Sequence, residues 1–125
     1  MNPYDVYRNQ DLETCNKEEL VAKLFNEASV SLRRGIQAID NKNFDAANKH
    51  IQKSQIIVST LNDSLDMGYE VSDGLRKLYT YMLERLFKAN IDKDITILAE
   101  ISKMLGELRD TWLEAIRRSR KMQST

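Results

Sequence analysis

A chain of 125 residues carrying 19 Lys+Arg, 19 Asp+Glu, one His and one Cys fits a single domain with one sizeable core. With 42% apolar and 30% charged residues it falls outside the disordered and membrane classes, and a formal net charge of zero argues against a dedicated nucleic-acid binder. No apolar run reaches the roughly 18 residues of a membrane span, and no signal peptide opens the sequence, so a cytoplasmic protein without membrane insertion is expected.

The chemistry-bearing residues are few. Cys15 has no second thiol for a disulfide, and one thiol cannot build a zinc site. His50 is equally alone: di-iron bundles use Glu-x-x-His pairs, and the residue three before it is Ala47. Gly35, Gly68, Gly74 and Gly106 stand singly, so no glycine-rich phosphate loop exists. No metal and no cofactor is expected.

Beyond the first fifteen residues, long charged-and-aliphatic stretches with a period near 3.6 predict four helices. The first spans Lys17 to Asp40. Asn16 is its N-cap, with Glu19 in the capping-box position and Glu18 favourable at the positive end of the dipole. Leu20, Val21, Leu24, Phe25, Ala28, Leu32, Ile36 and Ile39 share one side, and Gly35 interrupts them at a cost of about 1 kcal/mol relative to Ala, which points to close backbone packing.

Asp40-Asn41-Lys42-Asn43 reads as a turn, with Asn43 capping a second helix from Phe44 to Asp66. Its stripe is Phe44, Ala47, Ile51, Ile57, Val58, Leu61 and Leu65, and Gly68 supplies the stop. A loop from Met67 to about Val71 leads to a third helix capped by Ser72 and striped by Leu75, Leu78, Tyr79, Met82, Leu83, Leu86 and Phe87. Ala89-Asn90-Ile91-Asp92 is expected to turn, Asn90 taking the left-handed conformation and Asp92 capping the fourth helix. That helix, Lys93 to Met122, carries Ile95, Leu98, Ile101, Met104, Leu105, Leu108, Trp112 and Ile116. Arg117, Arg118, Arg120 and Lys121 complement its negative end. Helices of about 24 residues span roughly 36 Å, and short turns force neighbours antiparallel. The fold class is therefore all-α, an antiparallel up-down four-helix bundle over residues 16–125.

In helices two to four the apolar residues cover arcs of roughly 160–180°, wider than the ~100° stripe of a core-facing helix. Ile56 and Tyr81 lie outside even those arcs. Either these side chains widen the core and its rim, or they form a second apolar surface, a groove for a partner helix; periodicity does not separate the two. Residues 1–15 lack helical continuity yet hold Tyr4, Val6, Tyr7 and Leu12, which predicts a separate N-terminal segment, extended or short-helical, packing back on the bundle.

Several motifs in order carry a resemblance. They are Asn2-Pro3-Tyr4 followed by Tyr7; Glu18-Glu19-Leu20; Leu61 to Leu65; the run Leu78-Tyr79-Thr80-Tyr81-Met82-Leu83-Glu84-Arg85-Leu86; Ala89-Asn90-Ile91-Asp92-Lys93-Asp94; and Leu108-Arg109-Asp110-Thr111-Trp112. With this spacing, from about residue 2 to 116, the chain resembles the FliS family, the flagellar secretion chaperones of flagellin. Lys17 stands where the family commonly has Pro, and Lys23 and Glu27 where smaller or more apolar residues are usual.

The resemblance implies a cytosolic export chaperone, not an enzyme. It would bind the disordered C-terminal segment of flagellin in an apolar groove, keep it from polymerising early, and assist delivery to the flagellar type III export apparatus. An export-gate component and other flagellar regulators are further expected partners, and the chain is expected to be a monomer or weak homodimer. Within that reading the partner-binding residues are placed on the surplus facets of three helices: Ile57, Leu61 and Leu65; Leu75, Tyr79 and Met82; Leu98 and Leu105. Tyr7 and its neighbours are expected to shield apolar surface until client binds.

Two other classes compete. Histidine phosphotransfer domains are also four-helix proteins, and here Lys53 and Ser54 follow His50 by three and four residues on one face. Against this, His50 lies within about 20° of Ile57 and Leu61 on the helical wheel, whereas a phosphorylated imidazole needs solvent. A plain adaptor bundle, dimerising through its spare apolar face, is the other alternative.

Overall fold

A computed structural model describes residues 16–123. They form four helices, α1 (Lys17–Asp40), α2 (Phe44–Asp63), α3 (Glu70–Asp92) and α4 (Ile95–Gln123), with no strand among the described residues. The helices pack as an antiparallel four-helix bundle in which α1 and α3 each contact α2 and α4.

α1 begins and ends where its local chemistry dictates. The Asn16 carboxamide oxygen accepts from the Glu19 N–H at 2.9 Å, satisfying one of the four donors that a helix start leaves unpaired. At the other end the Asn43 N–H reaches the Ala38 carbonyl at 2.8 Å through Lys42, which sits at φ 58°. This six-to-one closure is the usual helix stop; a lysine in the left-handed region makes it at a cost of about 1–2 kcal/mol. Asn43 then caps α2 by accepting from the Ala46 N–H at 3.2 Å.

The next two boundaries depart from the sequence reading. α2 stops at Asp63 rather than Asp66, because the Ser64 hydroxyl turns back to the Thr60 carbonyl at 2.7 Å. α3 starts at Glu70, two residues before the expected Ser72 cap. The Ser72 hydroxyl instead donates to the Asp66 carbonyl at 2.5 Å, tying the loop to the helix.

At the α3–α4 turn Asn90 stays helical. Its amide donates to the Asn48 side chain on α2 at 2.7 Å, and its own oxygens accept from the Lys93 ammonium. The left-handed position therefore falls to Lys93, at φ 52°. Asp94, not Asp92, caps α4 by accepting from the Thr96 N–H at 3.0 Å. A long-range bond to α2 has overridden the local turn preference.

The core comprises Leu20, Leu24, Phe25, Ala28 and Leu32 of the expected α1 stripe together with Ile51, Val58, Met82, Leu86, Leu98, Ile101 and Leu105, while Val21, Ile36 and Ile39 pack half-buried against it; each fully buried large side chain contributes roughly 1.5–3 kcal/mol. The two halves of the bundle are not equally tight. α1 meets α4 through small residues: the Ser29 hydroxyl donates to the Ser102 carbonyl at 2.8 Å and the Ser102 hydroxyl to the Ser29 carbonyl at 3.0 Å, with Gly106 beside them. α1 meets α2 at Gly35, where an added Cβ would lie 3.3 Å from Ile51 Cγ1 and 3.8 Å from the Ala47 carbonyl oxygen. The α3–α4 seam is the loosest of the four.

The close approach at Gly35 makes it sensitive to size. Gly35→Val should lower the unfolding free energy by about 2 kcal/mol, since overpacking outweighs the gain in helix propensity; urea denaturation monitored by circular dichroism measures it.

Candidate functional site

The side chains the sequence marked for a partner divide sharply. Ile57 and Leu61 are 7% and 6% exposed, and Tyr79, Met82, Leu98 and Leu105 are 2% or less. These six fill the interior and offer no surface in this conformation. Leu65 and Leu75 are half-buried at its edge. Tyr7 lies outside the described residues, as does Cys15. Two residues assigned to the core stripes, Phe44 and Phe87, are instead 51% and 64% exposed. Ile56 and Tyr81, which fell outside the arcs, are 57% and 40% exposed.

The surface that Leu65 and Leu75 border is set by the register of α3 against α4. The Tyr81 phenol donates to Glu100 Oε1 at 2.9 Å, and Arg85 Nη2 lies 3.6 Å from Glu100 Oε2. With antiparallel helices this level places Leu75 and Leu78 opposite Met104 and Leu108, all four half-buried. At 100° per residue Thr111, Ala115 and Met122 continue the same α4 face. That face runs past the first turn of α3 and borders an open hollow of about 910 Å³. The α2–α3 loop adds exposed Met67 and Tyr69, and α3 adds Val71. The result is a shallow trough whose α3–α4 part is apolar and whose hollow along the end of α4 is lined by Thr111, Ala115 and Met122 together with Asp110, Glu114, Arg118 and Ser119.

The opposite side of α4 is locked. Arg109 Nη1 donates to the Asn26 carboxamide oxygen at 2.7 Å, and Trp112 Nε1 donates to the Glu18 carbonyl at 2.9 Å. The Trp112 ring stands edge-on to Phe25 at 5.8 Å between centroids, a favourable aromatic arrangement. Arg120 also pairs with Glu19. The Leu-Arg-Asp-x-Trp segment, singled out as a motif, thus fastens α4 to the start of α1. Sequence reasoning missed this role, although Arg109 and Trp112, three residues apart on one helix face, are the signal that carries it.

Burial pushes the Tyr79 phenol up to about 12. The Arg117 and Arg118 guanidiniums hold the Glu114 carboxyl down to about 2, with Arg117 Nη2 at 2.6 Å and Arg118 Nε at 3.2 Å. These basic residues are occupied in helix-end pairing. Around His50, Lys53 Nζ lies 2.5 Å from Glu27 Oε1 and Ser54 is fully buried. The lysine and the small neighbour that would serve a phosphoryl group are therefore committed elsewhere. Among the described residues no group of three or more His, Cys, Asp or Glu side chains could hold a metal ion, and no helix is long and apolar enough to cross a membrane.

Fold and surface together define a helical bundle with a trough that no other described helix covers, the architecture of a binding protein. The chain belongs to the FliS family: the family model described as flagellar protein FliS matches residues 1–119. Its relatives include the flagellar secretion chaperone FliS of Bacillus subtilis strain 168, 35% identical over 120 residues that cover 96% of this chain and 90% of the relative. The flagellar secretion chaperone FliS of Escherichia coli K12 is 27% identical over 82% of this chain and 78% of its own. That of Salmonella typhimurium LT2 is 28% identical over 79% and 76%. The family is one of flagellar secretion chaperones, which implies a flagellar protein as partner.

Two predictions concern the α1–α4 lock and the helix end. Trp112→Phe, which keeps a ring but loses the donor, should cost about 1 kcal/mol, and Trp112→Ala about 3 kcal/mol, read from urea midpoints. Glu114 should titrate near 2 in the folded protein rather than at its ordinary 4.5, and Arg117→Ala should raise it in an NMR titration. Because the folded value is depressed, its contribution to stability is present above the ordinary value and is lost as pH falls through the folded one.

Proposed function

We propose that the chain is a cytosolic, non-enzymatic export chaperone that binds the C-terminal segment of flagellin, keeps it from polymerising and assists its delivery to the flagellar type III export apparatus. The observation that carries this reading is the apolar face of α4 running past the start of α3 with no other described helix over it. A segment that is disordered before assembly lays the apolar side of a short helix into such a trough. Ordering it costs about 2–5 kcal/mol, and each Leu, Ile or Met it buries returns roughly 1.5–3 kcal/mol, so a handful of anchors gives useful affinity. No nucleotide, metal or other cofactor enters this chemistry.

The trough residues are Leu65, Leu75, Leu78, Met104, Leu108 and Ala115. The six buried residues act beneath them as the floor, holding α3 and α4 at the spacing the client helix needs. Residues 1–15, with Tyr7 at their centre, shield the trough in the free protein and shift when client binds; the occupied trough then faces the export gate.

Titration of a peptide from the flagellin C-terminus into the full chain by calorimetry tests this. Ala115→Glu, at an exposed position where the fold tolerates it, should weaken binding at least about tenfold, with unchanged circular dichroism. Hydrogen exchange should show client protection on α3 and α4, and Tyr7→Ala should raise exchange across residues 1–15. Unchanged affinity in Ala115→Glu together with a footprint elsewhere would place the client on another face.

A further inference from the structure

The methionines sort by their place in the trough. Four of the five lie among the described residues. Met82 is fully buried beneath the α3–α4 seam, and Met104 is half-buried on its wall. Met67 is 47% exposed and Met122 is 78% exposed. The first stands in the α2–α3 loop that borders the trough, and the second lines the hollow at the end of α4. Every thioether that solvent reaches among the described residues thus belongs to the trough or its rim. Met122 also has a donor beside it. Arg118, four residues earlier on the same helix face, lines the same hollow. Its Nε engages Glu114 at 3.2 Å, and its terminal nitrogens have no hydrogen-bond partner among the described residues.

We propose that Met122 and Met67 form a reversible oxidation site through which peroxide lowers the affinity of the chain for its client. The proposal rests on the reading that the flagellin segment lies in the trough. Hydrogen peroxide delivers one oxygen to a thioether. The S–O bond forms from a sulfur lone pair as the O–O bond breaks, and the sulfur is oxidised by two electrons. The leaving hydroxide takes the proton of the transferred oxygen and departs as water. Methionine sulfoxide reductases restore the thioether by oxidising a thiol pair to a disulfide, and the oxygen leaves as water. Between these steps a flexible apolar side chain, one that adapts to an apolar partner, has become a polar one. In the free chain the new oxygen accepts from water and, at Met122, from the Arg118 guanidinium that the i,i+4 spacing puts in reach. A client helix laid over it removes the water and sets an apolar side chain in its place. Oxidation therefore costs the complex and not the free chain, and a modification with that differential shifts the equilibrium toward release.

Mild peroxide treatment of the full chain, followed by peptide mass spectrometry and, after removal of peroxide with catalase, calorimetry with the flagellin C-terminal peptide, tests the proposal. Oxygen should appear first on Met122 and Met67, more slowly on Met104, and on Met82 only after unfolding in urea. The oxidised protein should keep its circular dichroism and bind the peptide about tenfold more weakly, and sulfoxide reductases should restore the affinity. Met67→Leu/Met122→Leu, which keeps an apolar side chain at both exposed positions, should bind like wild type and hold that affinity through peroxide treatment. Unchanged affinity in wild type carrying both sulfoxides overturns the proposal and leaves the trough reading intact. Loss of affinity in the treated Leu variant also overturns it, assigning the effect to the Cys15 thiol or another methionine. So does a Met82 that reacts in the folded chain as fast as Met122. Ala115→Glu binding as tightly as wild type before any peroxide removes the trough reading itself, and this proposal with it.

Discussion

The length of α4 governs the rest of the molecule. It has 29 residues where its bundle neighbours α1 and α3 have 24 and 23, so at 1.5 Å per residue it is longer than either by about 8 Å. A helix that outruns its partners must fray, be clamped, or leave a face uncovered. Here it is clamped on one side only. Trp112 and Arg109 hold it to the start of α1, while α3 begins too late in space to cover the opposite face. The apolar stripe from Met104 through Ala115 is rigid because of the first contact and is left open by the other described helices because of the second.

That asymmetry extends through the bundle. Serine and glycine at the α1–α4 and α1–α2 crossings bring backbones close, and the Ser29–Ser102 exchange satisfies both buried hydroxyls, so neither costs the desolvation of an unpaired group. The α3–α4 seam has no equivalent set of small residues. It is bridged at its middle by Tyr81, Arg85 and Glu100, side chains between 34% and 43% exposed, where ion pairs contribute little. A bundle that concentrates its stability in α1 and its two neighbours leaves α3 free to carry surface that the core does not need.

How much of this was legible depends on where each signal resides. Both ends of α1 were readable because Asn16 and the Asn41-Lys42-Asn43 turn act within four residues of the backbone they cap. The end of α3 was not, because Asn90 is claimed by Asn48, 42 positions away in sequence, and no local rule anticipates such a bond. The residues expected to face a partner could not be told from the core for a different reason. A helical wheel gives the angle of a side chain but not what covers it. Met82 and Leu98 share angles with the core of any bundle, and the exposed Ile56, Phe87 and Ile91 are distinguished from them only once a neighbouring helix has been placed.

The wide apolar arcs therefore had two causes at once. On α4 the excess arc is the half-buried edge of the trough, where Met104 and Leu108 touch the core on one side and solvent on the other. On α3 it is a separate outward face, beginning at Phe87 about 120° from the fully buried Met82–Leu86 direction. An edge residue is stabilised by the core it touches whether or not a partner arrives. Phe87 and Ile91, 64% and 68% exposed, gain little from the core. The trough thus follows from how the bundle is assembled, whereas the α3 face is a cost to solubility that the fold alone does not require.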